Sequence, residues 1–366
     1  MRELIVNRVQ PEVDPTLRAW LWEIPVDLFF AAVVSGLMIL GGLALPQALR
    51  QRTPDEAPRQ APPALPPQAP LLAFGLVHIC LLALFLDLSH KLYVWNLYLT
   101  LQPTSPMSWG SWMLTLVYVV LMATVLTTLP SHWPWAARLL PAVGRLAAWL
   151  ARASRVRALA WANVVLRTGL AICTGVLLAT MVARPLWNTM VLPPLFLASG
   201  LAGAAALLAP GARFLPQPAQ APSSLIGGLI NGLVVPASGV ARAASDGALY
   251  TRLALVFLVV QAILLLLFVL GLASGSASQI AALRILLTGA FAALFWVGVV
   301  ALGVVLPIAL LTVRSRLPAL APVALVLLLA GGLALRFVIV DAGQMSRLVQ
   351  SVGPALGALG ALGVSG

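Results

Sequence analysis

The sequence predicts an all-α, polytopic membrane protein. Of its 366 residues 61% are hydrophobic and only 9% are charged, where a soluble domain carries roughly 25% charged residues. Its mean hydropathy is +1.01. The apolar residues gather into runs of about 20 or more, the length that crosses a hydrocarbon core as a helix. A net charge of +12 does not indicate nucleic acid, because the arginines stand between the apolar runs, where the positive-inside rule accounts for them.

Eight spans follow, at about 22–46, 70–92, 107–129, 158–183, 190–209, 249–273, 283–313 and 318–341. Residues 1–19 hold six charges (Arg2, Glu3, Arg8, Glu12, Asp14 and Arg18) and lack the apolar run of a cleavable signal. The Pro-, Gln- and Arg-rich stretch 47–69 reads as an extended linker. Residues 131–157 place Trp133, Trp135 and Trp149 among Arg138, Arg145, Arg152, Arg155 and Arg157, the composition of an amphipathic helix lying in the interface. The Pro/Gly/Ser-rich segment 210–248 has room for a short interfacial helix near 224–235.

Arg50, Arg52, Arg59, the five arginines of 131–157, Arg213, Arg242, Arg252, Arg314 and Arg316 fall in the odd-to-even connections. The other side has fewer cations and adjoins most of the acids, including Glu23, Asp27, Asp87 and Asp341. This asymmetry places both termini outside the cytoplasm.

Polar residues inside apolar spans are functional candidates, since each costs a few kcal/mol unless paired or wet. Glu23 and Asp27 are four residues apart, on one helical face. Asp27 lies about 8 Å inside the end of its span at 1.5 Å per residue. Asp87 reaches a similar depth from the second span, and His90 follows it. A salt bridge to Lys91, Arg184 or Arg336 is the structural alternative for either acid. His78 falls near the middle of span two, as a buried, hydrogen-bonded side chain or a proton-relay step. Arg167 lies within span four and Arg284 near the start of span seven, candidates with His78 for a proton route. His78, His90 and His132 share no depth, which argues against a haem held between two of them. Cys80 and Cys173 lie in apolar runs without a CxxC, so the chain offers no metal or iron–sulfur site of its own. Between spans two and three, Tyr98, Gln102, Pro103 and Thr104 precede Trp109 and Trp112 at a membrane face rich in aromatic rings.

Several motifs in order resemble the polysulfide reductase membrane-subunit family of the NrfD type. They are WEIPVDLFF at Trp22, LDLSHKLYVWNL at Leu86, PTSPMSWGSW at Pro103, ARPLWNTMVLPPLFLASGLAGA at Ala183, FWVGVVALGVVLP at Phe295 and GGLALRFVIVDAGQ at Gly331. The resemblance implies eight transmembrane helices in two four-helix bundles, 22–183 holding a quinone site and 184–344 the second bundle. Residues 1–21 and 345–366 would then be outer (periplasmic) segments of a multi-pass protein of the bacterial inner membrane. It implies a subunit without haem or cluster that binds a quinone, menaquinone or ubiquinone, near the outer face. It exchanges electrons with a ferredoxin-like iron–sulfur subunit, commonly connected to a molybdopterin oxidoreductase or a multihaem cytochrome c.

In relatives with a described quinone pocket, a His on the first helix and a Tyr on the fourth approach the quinone head. By motif register those positions here are Asp27 and Cys173, with Thr174 adjacent. Asp341 also replaces a more usual apolar residue. The expected site therefore has Asp27 as proton acceptor, Glu23, Asp87 and His90 carrying the proton outward, and Trp109, Trp112, Cys173 and Thr174 around the ring. Tyr98, Gln102, Pro103 and Thr104 would dock the partner. Alternatives are a proton-translocating subunit and a structural anchor with no active quinone site.

Overall fold

The long apolar runs are helical, all but one of them as a single helix, and among the described residues there is no strand. The computed structural model describes residues 20–50, 69–88, 90–100, 102–132, 140–209, 240–313 and 320–346. The helices are α1 (Glu23–Arg50), α2 (Ala69–Asp87), α3 (Asn96–Leu99), α4 (Pro106–His132), α5 (Pro141–Leu150), α6 (Ala153–Ala179), α7 (Leu192–Leu208), α8 (Val240–Ala273), α9 (Ala277–Leu287), α10 (Leu306–Val313) and α11 (Ala321–Met345). A 3-10 turn covers Lys91–Tyr93, and a π-helical segment, Leu294–Val305, runs directly into α10. Among the described residues, seven units are long and apolar enough to cross a membrane: Glu23–Leu43, Ala69–Asp87, Ser108–Thr128, Ala153–Ala179, Gly247–Ala273, Leu294–Val313 and Ala321–Met345. α7 is apolar but only 17 residues long.

The starts of several helices follow from proline. Pro141, Pro193 and Pro322 stand in the first two positions of α5, α7 and α11, where no intrahelical N–H is required. The expected continuous span 283–313 is instead broken. α9 opens on a capping box, with Ser276 N–H donating to Gln279 Oε1 (2.9 Å) and Gln279 N–H to Ser276 Oγ (3.3 Å). It closes where Thr288 and Gly289 N–H both donate to Arg284 O. A Cβ on Gly289 would lie 2.8 Å from Ile285 Cα, so a glycine is needed for the chain to turn over the preceding helix. The linker proper, 51–68, and the helix expected near 224–235 lie outside the described residues, although 47–50 continue α1. The amphipathic segment is α5, shorter than 131–157.

α1 is central, packing against α2, α6, α7 and α11. Small residues allow this closeness. A Cβ on Gly36 would sit 2.5 Å from Gly200 O of α7, and one on Gly42 would sit 2.7 Å from Ala160 O of α6. Gly303 of the π-helical segment meets Gly331 of α11, where an added Cβ would lie 2.6 Å from the Gly331 Cα. Two apolar clusters fill the interior, one including Val33, Leu121, Ala205 and Leu258, the other Leu28, Trp187, Phe196, Phe268 and Leu335. Outward side chains such as Leu116, Val119, Ile263, Leu266 and Leu270 are exposed and apolar, as a surface facing lipid requires.

Candidate functional site

One end of the molecule is stapled by the two motifs that flank α7 and close α11. Trp20 N–H donates to Gln344 Oε1 (2.8 Å), and Gln344 Nε2 donates back to Trp20 O (2.9 Å). The Trp20 and Trp187 rings lie 5.2 Å apart, and Trp187 Nε1 donates to Ile339 O (2.7 Å). Arg184 donates to the backbone carbonyls of Gln344 and Ser346, not to an acid. These bonds fix how the chain enters α1, and therefore where Glu23 and Asp27 stand.

Asp27 faces α2. Cys80 Sγ donates to its Oδ1 at 2.8 Å, and among the described residues its Oδ2 receives no hydrogen bond. Cys80 is buried, a free thiol. Glu23 lies one turn nearer the helix start, with Oε2 buried and without a hydrogen-bond partner. Asp87, half-buried at the end of α2, is close enough to feel Asp27 and Glu23, and Lys91 partly offsets it. Lys91 Nζ also donates to Leu88 O (3.0 Å). The three carboxyl groups thus form a short series from α1 to the helix end, with exposed His90 beyond it.

Arg167 joins this neighbourhood from α6. It is 1% exposed, within electrostatic reach of Cys80, and donates weakly through Nη2 to Val117 O (3.4 Å). Its Nε has no partner. One turn away Asn163 donates to Thr124 Oγ1 (2.8 Å) and Leu159 O (2.9 Å), while its Oδ1 is buried and unbonded. Tyr98, on α3 outside the spans, approaches from above. Partial burial first, and then the nearness of Cys80, holds its phenol above the ordinary tyrosine range, so it stays protonated.

The remaining candidates are more scattered. His78 is exposed and lies between α2 and α4, with Nδ1 2.7 Å from Phe74 O and Nε2 3.2 Å from Tyr118 OH. Two residues before Cys80 on a helix, it points well away from the Asp27 face. Arg284 is exposed on α9, which packs on α8 and α11. His78, Arg167 and Arg284 are therefore not brought into one file. Trp109 and Trp112 are exposed on α4, and Trp109 Nε1 donates to Pro103 O (2.7 Å). Ser108 Oγ accepts from Gln102 N–H (3.0 Å) and donates to Thr100 O (3.3 Å), and Gln102 Nε2 donates to Thr104 Oγ1 (3.2 Å). The segment Gln102, Pro103 and Thr104 is thus exposed but tied to the start of α4. Cys173 is half-buried on α6, and Thr174 Oγ1 is satisfied by Ala171 O (2.9 Å). Neither is hydrogen-bonded to Asp27.

Cys80 is a site residue that the sequence alone leaves unassigned. The available signal is its spacing: seven residues, two helical turns, before Asp87 on one face. Asn163 and Tyr118 are likewise unassigned by sequence, and only their helical neighbours reveal them.

The model of the family described as polysulphide reductase, NrfD, matches residues 14–226 and 214–347. The C subunit of the polysulfide reductase of Wolinella succinogenes is 28% identical over 336 residues, 89% of this chain and 94% of that protein. Protein NrfD of Escherichia coli is 30% identical over 334 residues, 89% of this chain and 95% of that protein.

Proposed function

The chain belongs to the polysulphide reductase NrfD family, and we propose that it is the integral membrane subunit of a quinone-linked redox complex in the bacterial inner membrane. α7 is the eighth crossing: 17 residues span about 26 Å at 1.5 Å each, close to the ~30 Å hydrocarbon core. Residues 22–183 and 184–344 form the two four-helix groups. In support, α1, α2, α4 and α6 pack in a ring of neighbours, while α11 gathers α7, the π-helical segment and α10. The arginine distribution orients both termini outward.

The observation that carries the proposal is the Asp27 carboxylate, held on one oxygen by Cys80 and open on the other. The surrounding groups fit a quinol head: an open carboxylate oxygen, the unbonded Glu23 Oε2 and the unbonded Arg167 Nε. A bound quinol, of the menaquinone or ubiquinone type, supplies two electrons and two protons. Asp27 Oδ2 accepts the hydrogen of a ring hydroxyl and takes up its proton as the first electron leaves; once that proton has moved on, Asp27 takes up the second proton with the second electron. Glu23 and Asp87 pass each proton toward His90 and outer water. Arg167 balances the negative charge that this series concentrates below the membrane surface. The exposed Trp109 and Trp112 wall an opening to lipid, and Cys173 and Thr174 stand on the α6 side.

Electrons go to a ferredoxin-like iron–sulfur subunit, linked in turn to a molybdopterin oxidoreductase or a multihaem cytochrome c. Its seat is the connection above the site, where Leu92, Tyr93, Trp95 and Leu99 are 88%, 59%, 53% and 74% exposed beside Tyr98, Gln102, Pro103 and Thr104. Such a cluster of exposed apolar side chains outside the spans marks a protein interface. An azidoquinone photolabel tests the site: attachment to peptides carrying Asp27 or Cys80 is expected, and attachment confined to residues 184–344 contradicts it.

A second reading has one observation in its favour. Buried polar groups continue from Arg167 through Asn163 to Thr124, Thr127 and Thr128, toward the opposite end of α4. That series suits proton movement across the membrane. Asn163→Leu in proteoliposomes would lower proton uptake per electron if it conducts, and leave the ratio unchanged if it is structural.

A further inference from the structure

The end of the molecule opposite Asp27 carries a feature that neither quinone chemistry nor partner docking uses. α5 connects the end of α4 to the start of α6, and it packs on α4. Its inner face buries Ala147, while Arg145, Leu146 and Trp149 are exposed. These three line an open depression of about 350 Å³. Arg155, in the first turn of α6, folds back onto Trp149, one of the three. Its guanidinium carbon lies 3.5 Å above the Trp149 ring centre, and Nη1 donates to Trp149 O at 2.6 Å. The ring and the carbonyl orient this cation, leaving its other N–H groups available.

The charge of the region is unbalanced. Arg138, Arg145, Arg152, Arg155 and Arg157 fall within twenty residues, and no Asp or Glu occurs between Asp87 and Asp246. Below the arginines, α6 presents an apolar outer stripe, with Trp161 66% and Val165 62% exposed. Arg157 and Trp161 are one turn apart on that stripe. Arg157 stands at the start of α6 with Trp161 and Val165 one and two turns further along its face, and Arg155 lies in the same first turn on a neighbouring face.

We propose that the depression on α5, beside the start of α6, binds an anionic phospholipid, with Arg145 and Arg155 on the phosphate and the acyl chains on the exposed apolar surface of α6 that begins there. An arginine fork takes two phosphate oxygens at once, and Trp149 seats the head group at the interface. A free phosphate would use the arginines but gain nothing from Leu146 or the apolar stripe. A zwitterionic lipid would use the stripe but leave the excess cations unpaired. The assignment is independent of the quinone reading.

The test uses the full chain purified in detergent, with phospholipids that stay bound counted by native mass spectrometry. Wild type is expected to retain phosphatidylglycerol over phosphatidylcholine. The double variant Arg145→Gln/Arg155→Gln is expected to bind phosphatidylglycerol about thirtyfold more weakly, each arginine near an anionic surface contributing about fivefold. Equal retention by the double variant overturns the proposal. Should that variant fail to fold, wild type in nanodiscs decides. A higher melting temperature in phosphatidylglycerol than in phosphatidylcholine supports the site, and equal values overturn it. Stabilisation of the detergent-solubilised chain by inorganic phosphate to the same degree would mean that the depression reads a bare anion, which also overturns it.

Discussion

Two arginines are buried to almost the same degree in this protein, and their surroundings differ. Arg336, on α11, is wholly buried, lies 3.9 Å over the Phe196 ring and donates to Phe196 O (3.2 Å), while its Nε and Nη1 find no partner. Arg167, on α6, is also nearly inaccessible, but it lies within reach of Cys80, whose thiol holds Asp27. One cation is held chiefly by an aromatic face and a carbonyl and contributes to packing. The other belongs to a set of ionisable groups that influence one another as far as Asp87 at the end of α2. Burial alone therefore does not identify a functional charge; the titratable neighbours do.

The contrast makes ordered predictions. Arg167→Met is expected to lower quinol oxidation by the intact complex about thirtyfold, equivalent to about 2 kcal/mol of transition-state stabilisation, with subunits still attached. Steady-state assay beside gel filtration checks both parts. Cys80→Ala removes the donor on Asp27 and should cost about tenfold in turnover, the scale of one hydrogen bond to a charged group. Cys80→Ser keeps a donor and should recover most of it. Arg336→Met is expected to stay within about threefold of wild-type turnover, because replacing a buried charge by an apolar side chain of similar volume is often neutral for stability. A larger loss than Arg167→Met causes would reverse the comparison. The smallest effect is expected for His78→Phe, within about twofold, since an exposed substitution away from the site rarely matters more.

Most of the helical pattern could be read from the sequence because apolar length and membrane thickness are linked directly. The break at Thr288–Gly289 could not. Residues 283–313 are apolar almost throughout, and a glycine there looks like any other at a tight helix contact. The site was legible where a charge was anomalous: Asp27, Asp87 and Arg167 stand out in apolar runs. It was illegible where the partner resembled its surroundings. Cys80 reads as a small apolar residue, and only the pairing of α1 with α2 turns it toward Asp27. The facing direction of His78 was likewise hidden, because a helix hydrophobic on all sides gives no inner face to its pattern. Arg184 invited an acidic partner by charge, yet the fold gives it the carbonyls at the end of α11.

Quinol oxidation by the purified complex, wild type against Asp27→Asn, tests the central assignment most directly, with partner subunits and bound quinone quantified in the same samples. Loss of a proton acceptor should lower turnover by at least about a hundredfold, with subunit composition unchanged and quinone still bound. Wild-type turnover in Asp27→Asn would remove Asp27 from the chemistry and place the proton acceptor elsewhere in the chain or in a partner subunit.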